Sequence, residues 1–308
     1  MNSSIQIEHI SKSYKNTTAL RDVSFNVGQG ELFGLIGPDG AGKTTLLRIL
    51  TTLLLPDTGT AMLNGLDSVK DYKAIRNILG YMPGKFSLYQ DLSVYENLSF
   101  FASIFGVTIK QNYELIKDIY VQIEPFKDRM AGKLSGGMKQ KLALCCAMIH
   151  KPEILILDEP TTGVDALSRK EFWEMLKRLK NEGITIIVST PYMDEANLCD
   201  RIALIQKGNI LQINTPEGLV DTFSNKVFAL KASNLFLLLQ DLKHFPETIS
   251  AYPFGEYLHI VLKQDGIAIQ NLRDYLLAKK HQELRIQEIK PHVEDCFMDL
   301  MKQQHVFE

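Results

Sequence analysis

Apolar residues along this chain change rhythm three times. Two short unbroken runs, Glu31-Leu32-Phe33-Gly34-Leu35-Ile36 and Ile154-Leu155-Ile156-Leu157-Asp158-Glu159, read as strands buried on both faces of a parallel sheet. The first runs into a glycine-rich turn and then into Thr45-Leu46-Leu47-Arg48-Ile49-Leu50, which reads as a helix, so an α/β core is predicted. Between about Gly84 and Ile149 the spacing is helical, with Leu92, Tyr95, Leu98, Phe101 and Phe105 recurring every three or four positions. That aromatic stripe reads as core packing rather than a ligand box.

The third rhythm begins near residue 220. Asn214-Thr215-Pro216-Glu217 opens a short helix with proline in its first turn, and a domain boundary follows near Gly218-Leu219-Val220-Asp221. Val227–Lys231 reads as a strand, Asn234–Phe245 as a helix, Thr248–Tyr252 and Tyr257–Leu262 as strands with Phe254-Gly255 in the turn. Residues 266–280 read as a helix, Leu284–Ile289 as a strand and Val293–Met301 as a closing helix. The order βαββαβ predicts a small α+β, ferredoxin-like sandwich. The expected domains are therefore 1–220, with a helical subdomain over about 84–150, and 221–308.

Composition narrows the classes of function. A net charge of -2 over 308 residues gives no electrostatic case for nucleic acid. Met1-Asn2-Ser3-Ser4 leads straight into Ile5-Gln6-Ile7 without a secretory signal, and no apolar run approaches the roughly 20 residues of a membrane span. Cys145 and Cys146 are adjacent while Cys199 and Cys296 are isolated, and the histidines show no ligand spacing. A reducing compartment is expected, and none of these cysteines or histidines is expected to hold a metal.

The chemistry concentrates in the first two-thirds. Gly37-Pro38-Asp39-Gly40-Ala41-Gly42-Lys43-Thr44 fits GxxxxGK[ST] between a strand and a helix, where backbone N–H groups and the helix dipole hold a polyphosphate. Lys43 would reach the β- and γ-phosphates, the Thr44 hydroxyl would ligate Mg²⁺, and Thr45 continues the cradle. The second apolar strand ends in Asp158, expected to hold Mg²⁺, and Glu159, expected to orient or deprotonate the attacking water. Leu134-Ser135-Gly136-Gly137-Met138-Lys139-Gln140 opens another helix, so Ser135, Gly136 and Gly137 form a second phosphate-binding helix start. Two such starts on one chain suggest a dimer that sandwiches nucleotide between opposite faces.

With that ordered set the chain resembles the ABC transporter ATPase family, whose signature motif is LSGGMKQ. The resemblance implies ATP and Mg²⁺ as cofactors, Tyr14 stacking on adenine, and Asp165 of Thr161-Thr162-Gly163-Val164-Asp165 facing a partner subunit. Pro291-His292-Val293-Glu294-Asp295-Cys296-Phe297 resembles the closing helix of drug- and antibiotic-efflux ATPases of the ABC-2 group, usually Ser-Leu-Glu-Asp, with His292 and Val293 departing. It implies an ATP-hydrolysing subunit, peripheral on the cytoplasmic face of the inner membrane, driving a separate transmembrane permease. The alternative is a soluble ABC ATPase that switches a non-membrane partner.

Two departures matter for that expectation. After Tyr81-Met82-Pro83 the family places a glutamine, and here stands Gly84; Gln90 lies six positions further on. In Ser189-Thr190-Pro191-Tyr192 the family's switch histidine is Pro191, which has neither an imidazole nor a backbone N–H. The expected site binds ATP and hydrolyses it slowly. An intact LSGGMKQ could still complete a stronger site on a second ATPase subunit, in a homodimer or, as the departures favour, a heterodimer.

Overall fold

The first two strands are long because apolar and polar residues alternate along much of them. In the computed structural model, β1 (Ser3–Tyr14) pairs antiparallel with β2 (Thr17–Gly28), burying Ile5, Ile7 and Ile10 from one and Leu20, Val23 and Val27 from the other. The structure describes residues 3–85, 87–263 and 266–305, and the chain divides into two units, Met1–Pro216 and Glu217–Glu308.

In the first unit the chain continues through β3 (Leu32–Ile36), α1 (Lys43–Leu50), β4 (Thr58–Leu63), β5 (Leu66–Asp67), α2 (Tyr72–Ile78) and β6 (Leu79–Met82). It then forms α3 (Val94–Ile104), α4 (Tyr113–Tyr120), α5 (Gly136–Met148), β7 (Ile154–Asp158), α6 (Ala166–Asn181), β8 (Thr185–Thr190), β9 (Arg201–Gln206) and β10 (Asn209–Asn214). One sheet has the order β2-β1-β4-β5; the other has the order β10-β9-β3-β8-β7-β6. In the second sheet β9, β3, β8, β7 and β6 run parallel, which is why β3, β7 and β8 are buried at every position.

That register fixes the site. Ile36 pairs with Thr190 and Asp158 with Ser189, so the loops leaving β3, β7 and β8 open at one edge of the sheet. Side by side at carboxyl ends of parallel strands is where ligands settle in α/β sheets.

The helical stretch differs in detail from its sequence pattern. Leu92 precedes α3, which starts at Ser93 with a reciprocal capping box to Glu96. Val94, Asn97, Leu98 and Ala102 form its buried face, whereas Tyr95 is half exposed and Phe101 and Phe105 are only partly covered. The aromatic stripe is thus a partly solvated flank rather than the core. Asn97 replaces an apolar residue there because its amide donates to the carbonyls of Tyr89, Leu92 and Ser93.

The second unit contains α7 (from Pro216 to Thr222, straddling the boundary), β11 (Val227–Lys231), α8 (Leu235–His244), β12 (Thr248–Phe254), β13 (Tyr257–Leu262), α9 (Gly266–Ala278), β14 (Arg285–Ile289) and α10 (Val293–His305). Its sheet is antiparallel in the order β12-β13-β11-β14, the ferredoxin-like arrangement. Phe228, Leu230, Ile260 and Leu262 pack with Leu238, Leu242, Leu272 and Leu276 of the helices. Phe254 lies in β12 rather than in the turn: it pairs with Tyr257, leaving Gly255 (φ 57°) and Glu256 as the hairpin tip. On α10, Asp295 is buried and accepts hydrogen bonds from Tyr252, from His259 and from the His292 N–H. No described helix is long and apolar enough to cross a membrane.

Candidate functional site

The loop of residues 37–44 joins β3 to α1, and its geometry depends on Gly42. This residue caps α1 with φ 109° and ψ -2°, and a Cβ there would stand 2.5 Å from the Ala19 carbonyl oxygen. Only glycine satisfies both conditions. The first turn of α1 consequently presents its N–H groups to the loop, as anion binding requires.

Lys43 is buried, 3 % exposed, beneath this loop. Its ammonium donates to the carbonyls of Gly37 (2.7 Å) and Pro38 (3.0 Å) and pairs with Glu159 Oε1 at 3.0 Å. The Glu159 carboxylate thus occupies the position beside this cation that an anion in the loop would compete for. The cleft above, about 600 Å³, is lined by Tyr14, Asp39, Gly40, Ala41, Gly42, Lys43, Thr44, Thr45 and Glu159, together with Lys207 and the Asn16–Ala19 segment. Tyr14 ends β1 and is 44 % exposed, an available aromatic face at the cleft wall. Gly37 and Pro38 are not part of this lining and meet the site through the carbonyls that accept from Lys43.

Asp158 and Glu159 end and follow β7. Asp158 is 3 % exposed, and its Oδ1 accepts from the Thr44 hydroxyl (3.2 Å) and the Ser189 hydroxyl (2.7 Å). A hydroxyl and a carboxylate converging in this way are the hard oxygen donors that Mg²⁺ takes, so the residues present fit the ion. Tyr81 stands near this carboxylate, and burial, then the Asp158 charge, pushes its phenol up to about 12, so it stays neutral. Glu159 adopts φ 50°, a left-handed conformation uncommon outside glycine. Its N–H is held there by the Ser189 hydroxyl (3.0 Å) and carbonyl (3.1 Å).

The second predicted anion site lies outside that cleft. Ser135 caps α5, its hydroxyl accepting from the Met138 N–H at 3.4 Å, and Ser135 and Gly136 are exposed. Gly137 backs onto α6, where a Cβ would approach the Ser168 hydroxyl to 2.5 Å. Ser168 in turn donates to Asp165 (2.8 Å), the N-cap of α6. The Ser168 N–H, then its hydroxyl, hold the exposed Asp165 carboxyl below the usual range. Ser135, Gly136, Gly137 and Asp165 line no part of the cleft that holds Lys43.

Both departures fall beside the carboxylates. A Cβ on Gly84 would stand 3.0 Å from the Asp158 carbonyl oxygen and 3.6 Å from its Oδ2, so a side chain there would meet the Asp158 carboxylate directly. The Gln90 carbonyl accepts instead from the Gly132 N–H at 2.9 Å. Pro191 follows β8 in a loop anchored by Glu195, which is 2 % exposed. Glu195 accepts from the hydroxyls of Thr190 (2.5 Å) and Thr161 (2.8 Å) and pairs with Arg169 at 3.1 Å.

Ser189, Glu195 and Arg169 escaped the reading of the sequence. A signal for Ser189 was present: Ser189-Thr190 is a polar pair closing a strand buried at all six positions. Nothing local separates Glu195 from its exposed neighbour Asp194, which pairs with the same arginine at 3.1 Å. The four cysteines are free and buried, and the described residues contain no cluster of three metal-ligating His, Cys, Asp or Glu.

A family model described as ABC transporter matches residues 20–162. The probable multidrug ABC transporter ATP-binding protein YbhF of Escherichia coli is similar, 40% identical over 289 residues, covering 92% of this chain and 49% of that protein. This chain thus spans about half the length of the curated relatives it matches first. The linearmycin resistance ATP-binding protein LnrL of Bacillus subtilis is 31% identical over 305 residues, covering 96% of this chain and 97% of that one. Among solved structures, a dimeric ATP-binding cassette in a post-hydrolysis state with ADP and Pi superposes with a TM-score of 0.63 at 25% identity, covering 68% of this chain and 98% of that chain.

Proposed function

This chain belongs to the ABC transporter ATP-binding protein family, and on that premise we propose that it is the ATP-binding subunit of a bacterial ABC-2 type exporter. It drives a separate transmembrane permease from the cytoplasmic face of the inner membrane, to which it is peripherally bound. Relatives named for multidrug transport and linearmycin resistance support export over a soluble switch.

What supports the reading is that Ser135 and the helix it opens lie outside the lining of the Lys43 cleft, as two half-sites serving different nucleotides would. A nucleotide in the cleft is completed by the signature of a second ATPase subunit, and this chain's signature completes the partner's. Tyr14 stacks on the adenine, the N–H groups of Gly40 to Thr45 cradle the phosphates, and Lys43 exchanges Glu159 for phosphate oxygens. Thr44 and Asp158 would hold Mg²⁺, which when bound would offset negative charge on the phosphates. Glu159, freed from Lys43, orients and deprotonates the attacking water.

Gly84 and Pro191 withdraw two positioning side chains from this chain's own site, so turnover there is slow. The partner is therefore best a different ATPase with both side chains, served by Ser135, Gly136 and Gly137 of this chain. The purified chain should bind MgATP and hydrolyse it slowly, and Lys43→Ala should abolish binding. A rate typical of symmetric family members from the lone chain would overturn the degenerate-site reading. Capture of the chain from detergent-extracted membranes should bring down a polytopic permease, and capture with no membrane protein would contradict the exporter reading.

A further inference from the structure

The geometry points to Ser189 as a positioning residue that aims both carboxylates of the nucleotide site, an inference that rests on the nucleotide reading above. One hydroxyl serves two neighbours. It donates to Asp158 Oδ1 at 2.7 Å and accepts the Glu159 N–H at 3.0 Å. The β7–β8 register places it there, because Ser189 is the direct partner of Asp158 across parallel strands.

Its two bonds do different things. The bond to Asp158 is made to Oδ1, the oxygen that Thr44 also contacts, and restrains the rotation of a carboxylate that is 3 % exposed. The bond from Glu159 holds a backbone at φ 50°, a conformation that aims the Glu159 side chain into the cleft toward Lys43. Ser189 is itself 0 % exposed and so cannot reach substrate. It acts through the two acids.

Its weight is greater in this chain than in one with a full complement of side chains. Gly84 offers no group to Asp158 and Pro191 none to the γ-phosphate side. Among the described side chains, Asp158 has hydrogen bonds from Thr44 and Ser189. Thr44 is the group expected to leave that bond and turn to the metal. Ser189 then remains as the neutral donor steering the metal-facing carboxylate, the arrangement by which outer partners tune ligand strength.

The test is metal dependence of nucleotide binding by the intact chain, read without turnover. ATP binding is titrated with Mn²⁺, followed by electron paramagnetic resonance, and repeated with the metal chelated. Ser189→Ala should raise the Mn²⁺ concentration needed for half-saturation about tenfold or more, with metal-free ATP affinity unchanged within about twofold. Ser189→Cys, which fills the same space with a weak donor, should show the same loss, and Ser189→Thr, which keeps the hydroxyl, should recover most of it. An unchanged metal requirement in both Ala and Cys variants overturns the assignment alone. Equal losses with and without metal also overturn it, because the hydroxyl would then be serving the fold. A wild-type chain that takes up no nucleotide overturns the underlying reading and this assignment with it.

Discussion

Removing the Glu195 carboxylate should cost more than any change at the exposed rim of the site. Glu195 is 2 % exposed and is the acceptor for Thr161 and Thr190, themselves 1 % and 0 % exposed. Glu195→Ala leaves two buried hydroxyls without that acceptor, at about 1–3 kcal/mol each. The vacated space can admit water that accepts from the two freed hydroxyls, so the lower half of that range applies. Arg169 is 24 % exposed on its side chain and keeps Asp194, so its loss adds only about 0–1 kcal/mol. The sum is about 3 kcal/mol, which for a unit of this size lowers the melting temperature by roughly 6–12 °C. Glu195→Gln retains one acceptor oxygen and should lose about half as much. Scanning calorimetry of the nucleotide-free chain, following the transition of the first unit, is the assay. A Glu195→Ala transition within about 1 °C of wild type would refute the reasoning, since the hydroxyls would have found equivalent partners.

Two further outcomes are expected. Gly84→Gln with Pro191→His should raise ATP turnover of the lone chain about 10²-fold or more if both groups reach their places; the 3.0 Å approach to the Asp158 carbonyl requires a shift of a few tenths of an ångström, and no gain would mean the loop refuses it. In the second unit, burial of the Asp295 carboxyl opposes ionisation, but hydrogen bonds from His259, Tyr252 and the His292 N–H outweigh it and hold the group below its ordinary range. A lowered value in the folded state means that this stabilisation is present above about pH 4 and is lost as pH falls below it. Acid titration followed by near-ultraviolet circular dichroism should therefore show the second unit intact at pH 5, with Asp295→Asn less stable at pH 7; equal stability at pH 7 would contradict the role given to the carboxylate.

The phosphate loop, the Asp158-Glu159 strand end and the signature helix are legible in the sequence because each is local. A glycine spacing, an apolar run closed by two acids, and a serine-glycine helix start all declare themselves within about ten residues. The βαββαβ order of the second unit is legible for the same reason, each element carrying its own period. Ser189, Glu195 and Arg169 are different. Their roles depend on which strand lies beside β7 and on how the Pro191 loop returns to α6, and these are long-range facts that no window of residues contains. The α3 stripe shows the converse error: Tyr95 fits a three-to-four spacing yet is half exposed, because apolar periodicity cannot say which flank of a helix finds a neighbour. Asn97, which the pattern passes over as polar, is at 0 % exposure like its apolar neighbour Leu98.

The central claim is that this chain contributes more through its signature than through its own hydrolytic site. ATPase activity of the complex purified from its native membrane, with variants of this chain alone, tests it directly. Ser135→Arg places a bulky cation where the partner's γ-phosphate docks and should abolish turnover by the assembled complex. Glu159→Gln disables only a site already lacking side chains at Gly84 and Pro191, and should leave most of the activity in place. If Glu159→Gln proves as inactive as Ser135→Arg, the asymmetric account is contradicted and two equivalent working sites take its place.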